Sequence, residues 1–219
     1  VSRMLLPLFL DVTDRLVVVV GGGAVATARA TKMAAHGARV RVVSPDLSPA
    51  LQTLLAEGAI AEHRARRYEQ GDGDGALLVV AATDDAGVNG LVREHALLAG
   101  AQVNMPDDPD GSTAVIPAIM RSGALAIAIT TGGASPVVSR RIREDLGVRF
   151  GPAWAGLIQL LGESRSDLIA AHPDSANRRA AVEGLIDSGI VDLIADLGTD
   201  ACRAHVRSQL GLTPARVAA

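Results

Sequence analysis

"RLVVVVGGGAVATARATKMAAHGARVRVVSP", residues 15–45, decides the fold. A run of branched apolar residues stops abruptly at three glycines, as a buried parallel strand does at its carboxyl end. Helix-forming residues follow and end at Gly37, a helix-stop signal. "ARVRVVSP" is then a second strand. The whole is a βαβ unit of about 30 residues. Gly21, Gly23 and Ala26 fit the GxGxxG/A pattern between strand and helix. Gly21 permits the tight turn, Gly23 lets the backbone approach a pyrophosphate, and Ala26 lets the helix pack closely on the sheet. Ala24 and Val25 open the helix, whose free N–H groups favour phosphate. A glycine turn of purely structural meaning is the alternative.

Downstream the same rhythm repeats. "LSPALQTLLAEG" suits a helix and "AIAEHRA" a third strand; "GDGDG" reads as a turn and "ALLVVAAT" as a fourth strand. "DDAGVNGLVREHALLAG" is a helix, and "AQVNM" closes the series. Strands alternating with helices imply a parallel sheet covered on both faces, a Rossmann-type α/β domain. After Asp110 the pattern changes. "STAVIPAIM" and "ALAIAITT", joined by "RSG", suggest a β-hairpin, and from Ser135 the chain reads as mostly helical. The expected organisation is residues 1–112 for dinucleotide binding, 113–149 for a hairpin and helix section, and 150–219 for a helical domain.

Composition narrows the function. Aromatics make up 2% of the 219 residues, which argues against stacking on single-stranded nucleic acid. The net charge of −3 gives no general attraction to nucleic acid or anionic membrane. The single cysteine, Cys202, rules out an internal disulfide and a cysteine-rich zinc site, so a reducing cytoplasm is the default. The five histidines are scattered without metal-ligand spacing, and no metal ligand is assigned. "VSRMLLPLFLDV" is too short and too broken for a signal peptide or a membrane span.

Cofactor choice rests on the end of the second strand, "VVSPDL", where Ser44, Pro45 and Asp46 meet the adenosine ribose. An acid there and no arginine immediately following favour NAD over NADP. Ala82 and Thr83, at the end of the fourth strand, line the cofactor crevice; alternatively Thr83 or Asp84 merely caps the next helix. In "AQVNMPDDPDGSTAVIPA", residues 101–118, Asn104 ends a strand and three aspartates crowd the loop behind it. Asp, Pro and Gly form turns. Asp107 is either a plain loop acid or a carboxylate placed to accept a proton at the cleft mouth.

"VVVVGGGAVATARA", "VVSP", "AATDDAGVN", "VNMPDD", "AVIPAIM" and "AITTGGASPVVSRRIRE" occur in that order. Together they resemble the precorrin-2 dehydrogenases, including the N-terminal half of siroheme synthases, over roughly residues 4–150. The resemblance implies a homodimer that oxidises precorrin-2 to sirohydrochlorin with NAD, some members also inserting Fe²⁺. It implies that Asp107 inherits the family's key aspartate and that Thr131 keeps the hydroxyl before the "GGASP" segment. The helix after the glycine loop departs from the family, which usually carries an Arg-Lys pair there. A polycarboxylate substrate calls for cations, and Arg140 and Arg141, with Ser135 at the start of their helix, are the expected substrate-binding residues. The plainer reading of these arginines is a solvated helix face. A chain of this length stands alone without a methyltransferase half. A sirohydrochlorin ferrochelatase and a non-enzymatic NAD-sensing module are the competing functions.

Overall fold

The computed structural model describes residues 4–213, which form two compact units, Leu6–Ile116 and residues 4–5 with 117–213. In the first, β1 (Leu16–Val20), β2 (Arg39–Val43), β3 (Glu62–Arg64), β4 (Leu78–Ala81) and β5 (Gln102–Asn104) make one sheet, in the order β3-β2-β1-β4-β5. Every pairing is parallel. The chain builds outward from β1 to β3, then returns to the other side of β1 for β4 and β5. That reversal opens a crevice beyond the carboxyl ends of β1 and β4, where ligands bind in such sheets.

Alternation along the strands explains the layers. Val17 and Val19 of β1 point to one face, with Val40, Val42 and Val80. There α1 (Ala24–Ala34) and α2 (Pro49–Ala56) bury Ala26, Ala30, Met33 and Leu51. Val18 and Val20 point to the other face, against Val92 and Ala96 of α3 (Ala86–Leu98). A strand buried on both faces must be apolar at every position, and all five residues of β1 are buried. Each such valine is worth about 1.5–3 kcal/mol relative to exposure. Ala26 is fully buried, consistent with a small residue being needed where α1 meets the sheet.

In the second unit, β6 (Ala118–Ser122) and β7 (Leu125–Ile129) form the expected antiparallel hairpin, turning at Gly123. The first hairpin strand starts later than the apolar run predicts. Residues 113 and 114 bond instead to β5: the Thr113 and Ala114 N–H groups both donate to Val103 O. α4 (Pro136–Arg149) follows and buries none of its residues. α5 (Pro152–Glu163), α6 (Arg165–Ala171), α7 (Ser175–Asp187), α8 (Ile190–Leu197) and α9 (Thr199–Gln209) pack around Leu157, Leu160, Leu185, Ile194 and Val206. Among the described residues no helix is long and apolar enough to cross a membrane.

Candidate functional site: a dinucleotide crevice

Three consecutive glycines have three different physical reasons. Gly21 has φ +126°, and a side chain there would collide with Ala82 O at the end of β4. Its N–H donates to Val43 O at 2.9 Å, so it ties β1 to β2 as well. Gly22 was not singled out by the fingerprint, yet it is the most confined. A Cβ there would run into Asp46 O and approach Ser44 Oγ at 2.6 Å. Gly23 is the opposite case: it is exposed, and a Cβ would meet nothing within 4 Å. Ala24 and Val25 are exposed beside it. No side chain caps α1 at Gly23, so the first N–H groups of the helix lack intrahelical or capping partners. Open space against uncapped amides and the positive end of a helix fits a diphosphate.

The loop after β2 is held shut from below. Ser44 is buried and its Oγ donates to Asp46 O at 2.7 Å, while Ser48 N–H donates to Gly22 O at 2.9 Å. His63 Nε2 lies 2.9 Å from Ser44 O, which can only accept, so this nitrogen carries the proton. Pro45 and Asp46 remain exposed.

Beside that loop lies an ion network that the sequence does not announce. The "GDGDG" turn contains Asp72, which is 1% exposed. Its carboxylate accepts from Arg66 Nη1 and Nη2 at 2.8 and 2.7 Å, from Arg64 Nη1 at 2.5 Å and from Glu69 N–H at 2.8 Å. Arg41 Nη1 donates to Asp72 O, and Glu62 receives both Arg41 Nε and Arg64 Nε. Burial alone would raise the Asp72 pKa. The bonds from Arg66, Glu69 N–H and Arg64 outweigh it and hold the group at about 2. The Arg64 bond likewise lowers the Glu62 carboxyl.

At the end of β4, Thr83 is engaged with Asn89. Thr83 N–H and Oγ1 reach Asn89 Oδ1 at 3.2 and 2.7 Å, and Asn89 Nδ2 donates to Thr83 O at 2.9 Å. The cap of α3 is neither Thr83 nor Asp84 but Asp85, whose Oδ1 accepts from the Gly87 and Val88 N–H groups. Thr83 instead braces the strand end, leaving Ala82 and Thr83 half-buried at the crevice.

Asn104 is 4% exposed at the end of β5. Its Nδ2 donates to Ala114 O at 3.0 Å, and its buried Oδ1 has no hydrogen-bond partner among the described residues. The aspartate loop then closes on Ser112. Met105 N–H donates to Ser112 Oγ at 2.8 Å, and that hydroxyl lies 3.1 Å from Met105 O and from Asp108 O. Asp108 Oδ1 accepts from Gly111 N–H at 2.9 Å. Asp108 is thus a turn residue that the loop uses. Asp107 is exposed, three residues past Asn104, and its carboxylate makes no hydrogen bond among the described residues.

Gly21, Gly23, Ala24, Val25, Ser44, Pro45, Asp46, Ala82, Thr83, Asn104 and Asp107 therefore share the carboxyl edge of one sheet. Thr131, Ser135, Arg140 and Arg141 belong to the other compact unit. There Ser135 caps α4, accepting from Val138 N–H, and its own N–H donates to Thr131 Oγ1 at 3.1 Å. Arg140 is exposed and has no partner among the described residues, whereas Arg141 meets Asp145 at 3.3 Å on the surface. Among the described residues no three His, Cys, Asp or Glu side chains are grouped to hold a metal ion.

A parallel sheet in this order, with an open glycine loop at its switch point, defines a Rossmann-type nicotinamide-dinucleotide-binding protein. Residues 8–118 match the family model described as "Putative NAD(P)-binding", and the chain belongs to that family. Residues 122–148 match the model described as "Sirohaem biosynthesis protein central". Siroheme synthase from Pseudomonas entomophila is 37% identical over 187 residues, covering 85% of this chain and 40% of the relative. Siroheme synthase from Methylobacillus flagellatus is 34% identical over 205 residues, covering 94% and 44%. The chain thus spans less than half the length of these relatives. A solved structure titled SirC, precorrin-2 dehydrogenase, superposes with a TM-score of 0.74 at 26% identity, covering 94% of this chain and 99% of that one. The resemblance and the fold class read from the sequence are borne out.

Proposed function

We propose that the chain is an NAD-dependent precorrin-2 dehydrogenase, producing sirohydrochlorin for sirohaem biosynthesis in the cytoplasm. The observation that carries this reading is one sheet edge holding both an open diphosphate cradle at Gly23 and the unengaged carboxylate of Asp107. The relatives and the solved neighbour support the choice of substrate. A bound nicotinamide would supply the hydride acceptor for this oxidation. The chain's own residues do the rest: α1 amides hold the diphosphate, Asp46 takes the ribose hydroxyls, Ala82 and Thr83 wall the crevice with Asn104 behind them, and Asp107 accepts the departing proton. Thr131, Ser135, Arg140 and Arg141 bind the polycarboxylate substrate, Arg140 having no partner among the described residues. The chain works as a homodimer, covering the apolar side chains that α4 leaves in solvent, Val137 at 64% and Val148 at 88% exposure.

Incubating the purified chain with precorrin-2 and NAD⁺ tests the assignment, and NADH formation is the expected result. Metal uptake by supplied sirohydrochlorin in the presence of Fe²⁺ or Co²⁺, without NADH formation, points to a chelatase. Neither activity points to a cofactor-sensing module. A second expected outcome concerns the cradle. Gly23→Asp has room for its Cβ, so the fold survives, but it sets a negative charge where the diphosphate rests. Dinucleotide affinity should fall at least about a hundredfold, on the order of 3 kcal/mol, in a titration that leaves the melting temperature unchanged.

A further inference from the structure

A dinucleotide-binding fold accepts NADP when a cation stands near the end of β2 to meet the 2′-phosphate. This chain has such cations. Arg64 lies opposite Val43 in the sheet register, and its carbonyl receives Ser44 N–H at 3.2 Å. Arg66 is two residues further along the same loop, with its N–H on Arg64 O. Yet neither guanidinium is free. Arg66 is bidentate on Asp72, and Arg64 divides itself between Asp72 and Glu62. Arg41, on the adjacent strand, is spent on Glu62 and on the Asp72 carbonyl. The exposed carboxylate nearest the end of β2, Asp46, repels a phosphate instead.

We propose that Asp72 is a specificity-determining residue: by holding Arg64 and Arg66 it denies the 2′-phosphate its cations and restricts the crevice to NAD. The proposal rests on the dinucleotide reading above and adds the residue that sets its choice. Bidentate geometry holds Arg66 on Asp72, and Arg64 is bridged between the Asp72 and Glu62 carboxylates, so both guanidinium groups are already engaged. Arg67, exposed and with its side chain unpaired among the described residues, is the rival cation and supplies the control.

Fluorescence titration with NADH and NADPH reads this without substrate. The wild-type chain should prefer NADH by about tenfold or more, and Asp72→Asn should narrow that preference at least about fivefold by tightening NADPH. Adding Arg66→Ala to Asp72→Asn should cut the gain, and adding Arg64→Ala as well should remove it, while Arg67→Ala in the wild-type background should leave the preference unchanged. If circular dichroism shows Asp72→Asn unfolded, Glu62→Gln loosens Arg64 with Asp72 in place and should move the preference about twofold in the same direction. An unchanged NADH-to-NADPH ratio in the folded variants overturns the proposal while leaving dinucleotide binding intact. So does a ratio governed by Arg67. Failure of the wild-type chain to bind either nucleotide overturns the dinucleotide reading, and this proposal with it.

Discussion

Asp107→Ala is expected to lower NADH formation by about 10²–10⁴-fold, the range for losing a general base, while NADH affinity changes less than twofold. The two halves of that expectation come from separate features. The proposed diphosphate cradle is the open space at Gly23 and the uncapped start of α1, backbone that Asp107 does not touch. The aspartate loop is pinned by Ser112 and by the Asp108–Gly111 bond, so removing the Asp107 carboxylate takes away no internal hydrogen bond. Asp108→Ala is the contrast: it strips the acceptor from Gly111 N–H and should loosen the loop. Steady-state kinetics beside a binding titration separates the cases. A large fall in cofactor affinity for Asp107→Ala would make that residue structural and end its catalytic assignment.

What the sequence made legible follows from locality. The run Leu16–Val20, the glycines and the Ala-rich helix lie within one 30-residue unit, and their patterns are short-range, so β1, α1 and β2 could be read directly. The hairpin was legible for the same reason, though the apolar run starts well before its first strand, Ala118–Ser122. The apolar run takes in residues 113 and 114, but their N–H groups both turn onto Val103 O of β5 and take no part in the hairpin. No local pattern distinguishes those partners. Gly22 went unnoticed because its confinement comes from Ser44 and Asp46, more than twenty residues away. Asp85 displaced Thr83 and Asp84 as the cap because Thr83 is held by Asn89, a contact across a helix turn that propensity cannot rank. Asp72 was the largest omission. Two glycines flank it, and "GDGDG" is an adequate turn without any partner. Only the fold brings Arg41, Glu62, Arg64 and Arg66 around it.

That same aspartate gives the largest expected effect on stability. Asp72→Ala should cost about 3–5 kcal/mol, the price of breaking one side of a buried ion pair, read as a lower denaturant midpoint for unfolding. The lower end is favoured, because Arg64 and Arg66 are 30% and 38% exposed and can turn to water once released. The sign of the pH dependence is fixed by the direction of the shift. Asp72 titrates near 2 in the folded chain against an ordinary value of 3.8, so its charged form is the one the fold prefers. Its stabilisation is complete above about pH 4 and drains away as the pH falls toward 2. Wild-type stability should therefore drop steeply across that window. The Asp72→Ala profile should be flatter there, keeping the fall that Glu62 contributes. Parallel curves for the two proteins would mean that the carboxylate is not charged against its arginines, and the clamp on Arg64 and Arg66 would lose its physical basis.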